Sequence, residues 1–257
     1  MTEVGESFPY RRIVAELRTE IVDGHRAPGT RLPSENELAD LYETSRPTVR
    51  RAIARLKAEG LVVTEQGRAT FVRPSPHVRL LLSGTSYRKH RRAGLTGFNA
   101  QVREQGQQPL QRLLAVTTVP APDEVALRLA LDETAPVVVR RRLFLVDDQP
   151  VALCDSYYPA SLAADTVIAE PHRIRGGVHR VIEDPDGPIR RKIARSVDDL
   201  IARMPSVEEA EQLGLSAGVP VVRVLRTIYD AQDHPVEVQC TLAAADRHEF
   251  RYEVSMA

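Results

Sequence analysis

The chain has 257 residues, enough for one large domain or two ordinary ones, and its 35 Lys and Arg balance 35 Asp and Glu. Neutrality alone argues against a nucleic-acid partner, but the charge is unevenly placed: residues 1–92 hold 17 basic against 11 acidic side chains, net +6, leaving −6 for the rest. Two cysteines exclude a disulfide framework, and no apolar run resembles a signal peptide or a membrane span, so a reducing cytoplasm is the expected location.

Residues 1–7 read as a loose arm. A helix is expected from Phe8-Pro9-Tyr10 to about Asp23, with Tyr10, Ile13, Val14, Leu17 and Ile21 on one side, stopped at Gly24. Arg31 follows the Pro28-Gly29 turn, either solvated or within reach of a phosphate. Ser34 three residues before Glu37 is a capping box, so a second helix starts there. Glu43-Thr44-Ser45 interrupts it, and Ser45 caps a third helix with Pro47 in its first turn, running to about residue 59. Val49, Ile53 and Leu56 point inward on this helix. Arg46 and Arg50 share one outer face, with Pro47, Arg51 and Arg55 on the next. From Arg46 to Lys57 there are five basic residues and no acid, a surface suited to phosphates and guanine edges in a major groove. After Gly60, Leu61–Thr64 and Ala69–Val72 form a hairpin around Glu65-Gln66-Gly67-Arg68, placed as a wing beside that helix.

This order of cap, turn, basic helix and hairpin is that of a winged helix-turn-helix DNA-binding domain. Leu32-Pro33-Ser34-Glu35, Ser45-Arg46-x-Thr48-Val49-Arg50-x-Ala52, Leu56, Glu59-Gly60-Leu61 and Gly67 resemble the N-terminal module of the gluconate-repressor (GntR) family of transcription regulators. The resemblance implies DNA contacts at Ser34 and Asn36, at Ser45, Arg46, Thr48 and Arg50, and at the wing tip, Gln66, Gly67 and Arg68. Pro47 departs from the polar residue found there in some relatives and is assigned to fixing the helix start.

Arg73-Pro74-Ser75-Pro76 closes the wing, so the head is expected over 1–75, a linker over 76–92 and a body over 93–257. His77–Leu82 is a candidate strand. Arg88-Lys89-His90-Arg91-Arg92 is a solvated linker or a backbone-skimming cluster. Gly94-Leu95-Thr96-Gly97-Phe98-Asn99 leads into a helix ending near Gly106, whose free N-terminal donors suit an anion.

The body carries an internal repeat. Leu129, Leu131, Pro136 and Val137 recur 84 residues later as Leu213, Leu215, Pro220 and Val221, and Pro150-Val151 recurs as Pro235-Val236. Each copy reads as a short helix followed by a β-hairpin, and the two hairpins are expected in one antiparallel sheet. Strand alternation puts Arg226 with Val222, Val224 and Ile228, and Arg142 with Val138, Phe144 and Val146. An arginine on an apolar face needs an anion, internal or a ligand, and Glu237 is the internal candidate for Arg226. Cys154 lines the same cavity or is an ordinary buried cysteine.

Pro120-Ala121-Pro122, Pro136-Val137-Val138-x-Arg140-Arg141, Gln149-Pro150-Val151-Ala152, Tyr157-Tyr158-Pro159, Leu213-Gly214 and Arg226-Thr227-x-Tyr229 resemble the UTRA effector-binding domain of the HutC branch, over nearly all of 94–252. The resemblance implies an α+β protein: a winged helix-turn-helix head and a chorismate-lyase-like antiparallel-sheet body that dimerises and binds a small effector. Thr96, Gly97, Phe98, Arg142 and Glu237 fall where members that bind amino-sugar phosphates hold their ligand, and Tyr158 is in the matching stretch. Phe144 and Cys154 stand where such members tend to carry an arginine and a glutamate, which favours a less anionic or more apolar effector.

The expected function is that of a dimeric repressor released from operator DNA by an effector of unknown identity, with no other cofactor and no metal. A constitutive DNA-binding protein with a purely dimerising body is the alternative. An enzyme is not expected, because His172, His179, His234 and His248 are scattered and form no metal-ligand or nucleophile–base pattern.

Overall fold

The computed structural model describes residues 9–64, 69–73, 78–82, 97–215 and 218–252. It divides into two compact units, Met1–Pro76 with Ser216–Val219, and His77–Leu215 with Pro220–Ala257.

In the head, α1 (Pro9–Val22), α2 (Glu35–Leu41) and α3 (Arg46–Ala58) close around Ile13, Val14, Leu17, Leu38, Val49, Ile53 and Leu56. The start of α2 is a complete capping box. The Ser34 hydroxyl accepts from the Glu37 N–H, and the Glu37 carboxylate accepts from the Ser34 N–H. Ser45 caps α3, and Gly60 leaves it at φ +74°, a conformation that favours glycine. Strands β1 (Val62–Thr64) and β2 (Thr70–Val72) pair antiparallel, and Arg31 bridges to Phe71 along the other edge of β2.

The body is a six-stranded antiparallel sheet in the order β4-β5-β6-β9-β8-β7, comprising β4 (Pro109–Pro120), β5 (Pro136–Val146), β6 (Gln149–Pro159), β7 (Ile193–Arg203), β8 (Val221–Asp230) and β9 (Pro235–Ala244). The repeat therefore does build one sheet. Hairpins β5–β6 and β8–β9 meet along the β6–β9 seam, where Cys154 faces Thr241 and Ser156 faces Gln239. The repeat is also longer than the sequence similarity that revealed it, because each half begins with an outer strand, β4 or β7. The intervening helices, α5 (Asp123–Leu129) and α8 (Val207–Leu213), end at left-handed residues 84 apart, Ala130 (φ +51°) and Gly214 (φ +57°).

One face of the sheet packs on α5 and α8 through Val137, Val139, Leu225 and Val238 and through Leu143, Leu153, Leu213 and Val221. The other face is covered at one end by α6 (Ala160–Ala163), α7 (Val178–Glu183) and the loop between them, through Val138, Tyr158, Ile168 and Ile182. At its other end it is covered by α4 (Gly97–Glu104), through Phe98, Val102, Phe144 and Cys154. Strand β3 (Val78–Leu82) lies inside the predicted 77–82 segment and pairs in parallel with β10 (His248–Tyr252).

Candidate nucleic-acid interface and ligand site

Ser34, Asn36, Ser45, Arg46 and Arg50 are exposed, with Thr48 half-buried beside them, so the end of the turn and the starts of α2 and α3 form one polar corner. Ser45 and Thr48 share a hydroxyl hydrogen bond of 2.9 Å. The outer side of α3 is not the unopposed cationic surface that its own sequence predicts. Glu35, at the first position of α2, accepts from Arg50 Nε at 3.3 Å and Nη2 at 2.9 Å, and lies 3.8 Å from Arg46. The Arg50 hydrogen bond holds the Glu35 carboxyl below its ordinary range. Arg51 stacks on Tyr10 of α1 at 4.2 Å, and Arg55 joins Arg18 on Glu59. Those two arginines brace the head, which among the described residues of α3 leaves Arg46 and Arg50 with the polar corner. Gln66, Gly67 and Arg68 lie outside the described residues, as does Thr96.

The face of the sheet that packs on α4, α6 and α7 is organised in rungs that run across the strands. One rung holds Arg142, Cys154, Thr241 and Val224; the next holds Arg140, Ser156, Gln239, Arg226 and Asp198. The third pairs Val138 with Tyr158 on one side of the seam and Ile228 with Glu237 on the other. Arg142, Phe144, Cys154, Tyr158 and Glu237 therefore share this face, and Phe98 reaches it from α4, its ring centroid 4.6 Å from that of Phe144. Gly97 opens the same helix.

The expectation that Arg226 pairs with Glu237 is corrected. Arg226 forms a fork with Asp198 of β7, both contacts at 2.7 Å, because the β7–β8 register places the two directly opposite. Glu237 instead accepts from the Tyr158 hydroxyl at 3.0 Å and from His179 Nε2 at 2.6 Å, and is 1% exposed. Burial pushes its carboxyl up, but His179 and then Arg142 more than offset this and hold it at about 2. Burial also pushes the Tyr158 phenol well up, with Glu237 adding to it, so that phenol stays a donor. Position in sequence did not distinguish His179, 58 residues from its partner.

Arg142 is partly exposed. Its Nη2 donates to Ser156 Oγ at 2.5 Å and to Cys154 Sγ at 3.2 Å, while its Nε is buried with no acceptor. Cys154 is fully buried, and its Sγ accepts from Arg142. Arg140, one rung away, belongs to the Pro136–Arg141 stretch of the resemblance, which assigns it no role. It is 4% exposed and donates to the carbonyls of Ile168 (2.7 Å), Glu170 (2.9 Å) and His172 (2.6 Å), clamping the α6–α7 loop to the sheet. A depression of ≈ 720 Å³ lies elsewhere, among Thr166, Arg175, Arg180 and Asp184, and includes none of the predicted residues. Among the described residues no group of three His, Cys, Asp or Glu side chains could hold a metal ion, and no helix is long and apolar enough to cross a membrane.

Comparison with known proteins agrees with both halves. Residues 9–72 match the family described as "Bacterial regulatory proteins, gntR family", and residues 104–249 match the UTRA domain. The HTH-type transcriptional repressor NagR of Bacillus subtilis is 30% identical over 94% of this chain and 92% of its own. The HTH-type transcriptional regulator Rv0792c of Mycobacterium tuberculosis is 31% identical over 95% and 85%. The crystal structure of PhnF from Mycobacterium smegmatis superposes with a TM-score of 0.60 at 26% identity, covering 95% of this chain and 100% of that one. The architecture fits the HutC branch. With a winged helix-turn-helix head matched to one profile and a sheet body matched to the other, the chain belongs to the GntR family of bacterial transcription regulators, as a DNA-binding member whose C-terminal domain is a UTRA domain.

Proposed function

We propose that this regulator is a homodimeric, cytoplasmic repressor that holds a near-palindromic operator through α3 and releases it when a small molecule occupies the body around Arg142. The repressor sign follows the relative named NagR. The observation that carries the reading is Arg142: a cation on the partly exposed face of a separate body, hydrogen-bonded to no carboxylate and with one buried N–H lacking an acceptor. A body that served only to dimerise would have no need of such a group, since unpaired buried charge is destabilising. In this scheme Ser34, Asn36, Ser45, Arg46, Thr48 and Arg50 meet DNA, joined by the wing tip. Gly97, Phe98, Arg142, Phe144 and Cys154 meet the effector, with Tyr158 and Glu237 forming the floor.

The effector acts without any metal or organic cofactor and without turnover. It favours a dimer geometry whose heads no longer match the half-site spacing, and by linkage operator DNA weakens effector binding by the same factor. The test is fluorescence anisotropy of the purified chain with DNA from its own upstream region, at two salt concentrations and against random competitor. Selective binding that weakens with salt supports the reading. Binding no tighter than to random DNA, or operator affinity indifferent to Arg142→Met in the presence of cell metabolites, counts against it.

A further inference from the structure

We infer that the ligand of the Arg142 face is a small monoanion, its charge a planar carboxylate and its remainder flat and apolar; this rests on reading that face as the effector site. The charge count comes first. Arg226 is engaged by Asp198 and Arg140 by three backbone carbonyls, which leaves Arg142 with neutral partners only, a thiol and a hydroxyl. Among the described residues the negative charges of this face are both engaged within the protein, Asp198 by Arg226 and Glu237 through both of its oxygens. Among the described residues of this face, one cation without a carboxylate partner and with one buried N–H lacking an acceptor matches one negative charge. A phosphate dianion calls for a second cation, and the positions flanking Arg142 on this face offer Phe144 and Cys154 instead.

The shape follows from the aromatic pair. Phe98 and Phe144 stand 4.6 Å apart and tilted by 38°, and the Arg142 guanidinium lies 5.4 Å from the Phe144 centroid. A flat ring laid against this pair presents its carboxylate to Arg142, and the offset geometry is the favourable one for aromatic contact. Among the described residues nothing lies within 4 Å of a Cβ added at Gly97, the first residue of α4.

The experiment is calorimetric titration of the full chain at pH 8 with phenylacetate, phenylacetamide and phenyl phosphate, the last a dianion at that pH. Phenylacetate should bind at least roughly tenfold tighter than the other two. Arg142→Met should bring it down to the level of the amide, while Arg142→Lys, which keeps the charge and loses the fork, should lose only part. The ranking in the unaltered protein stands whether or not either variant folds. Phenyl phosphate binding as tightly as phenylacetate, or no binding by any of the three, overturns the ligand class. Operator release is read in parallel and separates the two claims. Phenylacetate bound without release overturns the effector reading and leaves the class standing; release by the phosphate does the reverse.

Discussion

Glu35 and Arg50 form a two-point ion pair across the helix-turn-helix, so a cation on the outer side of α3 is already engaged by the helix before it. Arg50 is largely exposed and Glu35 half-buried near the surface, and such a pair contributes little to stability. Its effect is on binding, because any phosphate or guanine must displace a carboxylate. Glu35→Gln is expected to raise affinity for random DNA more than for operator, and to steepen the salt dependence by about one phosphate contact. Arg50→Ala should cost operator binding about 1–3 kcal/mol. Anisotropy with both DNAs at 50 and 200 mM salt, roughly the range over which phosphate contacts are felt, checks each; a Glu35→Gln protein with unchanged selectivity would remove the glutamate from the recognition argument.

Acid should destabilise the body in two successive windows. His248 Nδ1 lies 2.9 Å from the Ala244 carbonyl while its Nε2 is buried without a partner, and burial holds the ring at about 4 against an ordinary 6.5. Between those values the unfolded chain binds a proton that the folded body refuses, so stability falls as pH drops, by on the order of 3 kcal/mol in all. Glu237, held at about 2 against an ordinary 4.5, continues the loss below pH 4.5, since the unfolded carboxyl protonates first. Urea midpoints from pH 7.5 to 3.5 should decline throughout. His248→Gln should flatten the upper part of the curve and Glu237→Gln the lower part.

Arg140→Met removes three charge-assisted hydrogen bonds to the loop carbonyls at 168, 170 and 172. We expect a loss of about 2–4 kcal/mol and, more specifically, faster proteolysis within residues 164–176. Mass spectrometry of the early fragments locates the cut, and an unchanged digestion pattern would show that the apolar contacts of Ile168 alone hold the loop.

Ser206→Ala breaks the capping box of α8, in which Ser206 and Glu209 each satisfy the other's backbone N–H. The expected cost is about 1 kcal/mol of body stability, with operator affinity unaltered in the absence of effector.

What could be read from the sequence was what neighbouring residues decide between themselves. The Ser34–Glu37 and Ser206–Glu209 boxes, the Ser45 cap and the glycine stops all involve residues within a few positions, and their elements lie where the spacing put them. The 84-residue repeat likewise announced a shared sheet, because related hairpins bury related faces. What escaped depends on register between distant strands. Alternation placed Arg226 on the right face but could not show that β7 sets Asp198 opposite it. Composition made α3 cationic without revealing that Glu35, 15 residues away from Arg50, bends back to it. His179 and Arg140 gave no local signal, since the groups they bond are a side chain 58 residues on and three backbone carbonyls.

The parallel pairing of β3 with β10 joins residues 78–82 to residues 248–252. A ribosome delivers the first of these strands long before the second, so the segment that follows the head must wait for nearly the whole body to be synthesised before its partner exists. The helices and hairpin strands of the head lie within residues 9–72 and are delivered early, while Ser216–Val219, which group with them, follow only after most of the body. A chain cut short just before His248 would therefore keep every residue of the helix-turn-helix and of the six-stranded sheet, yet leave β3 with no strand to pair against.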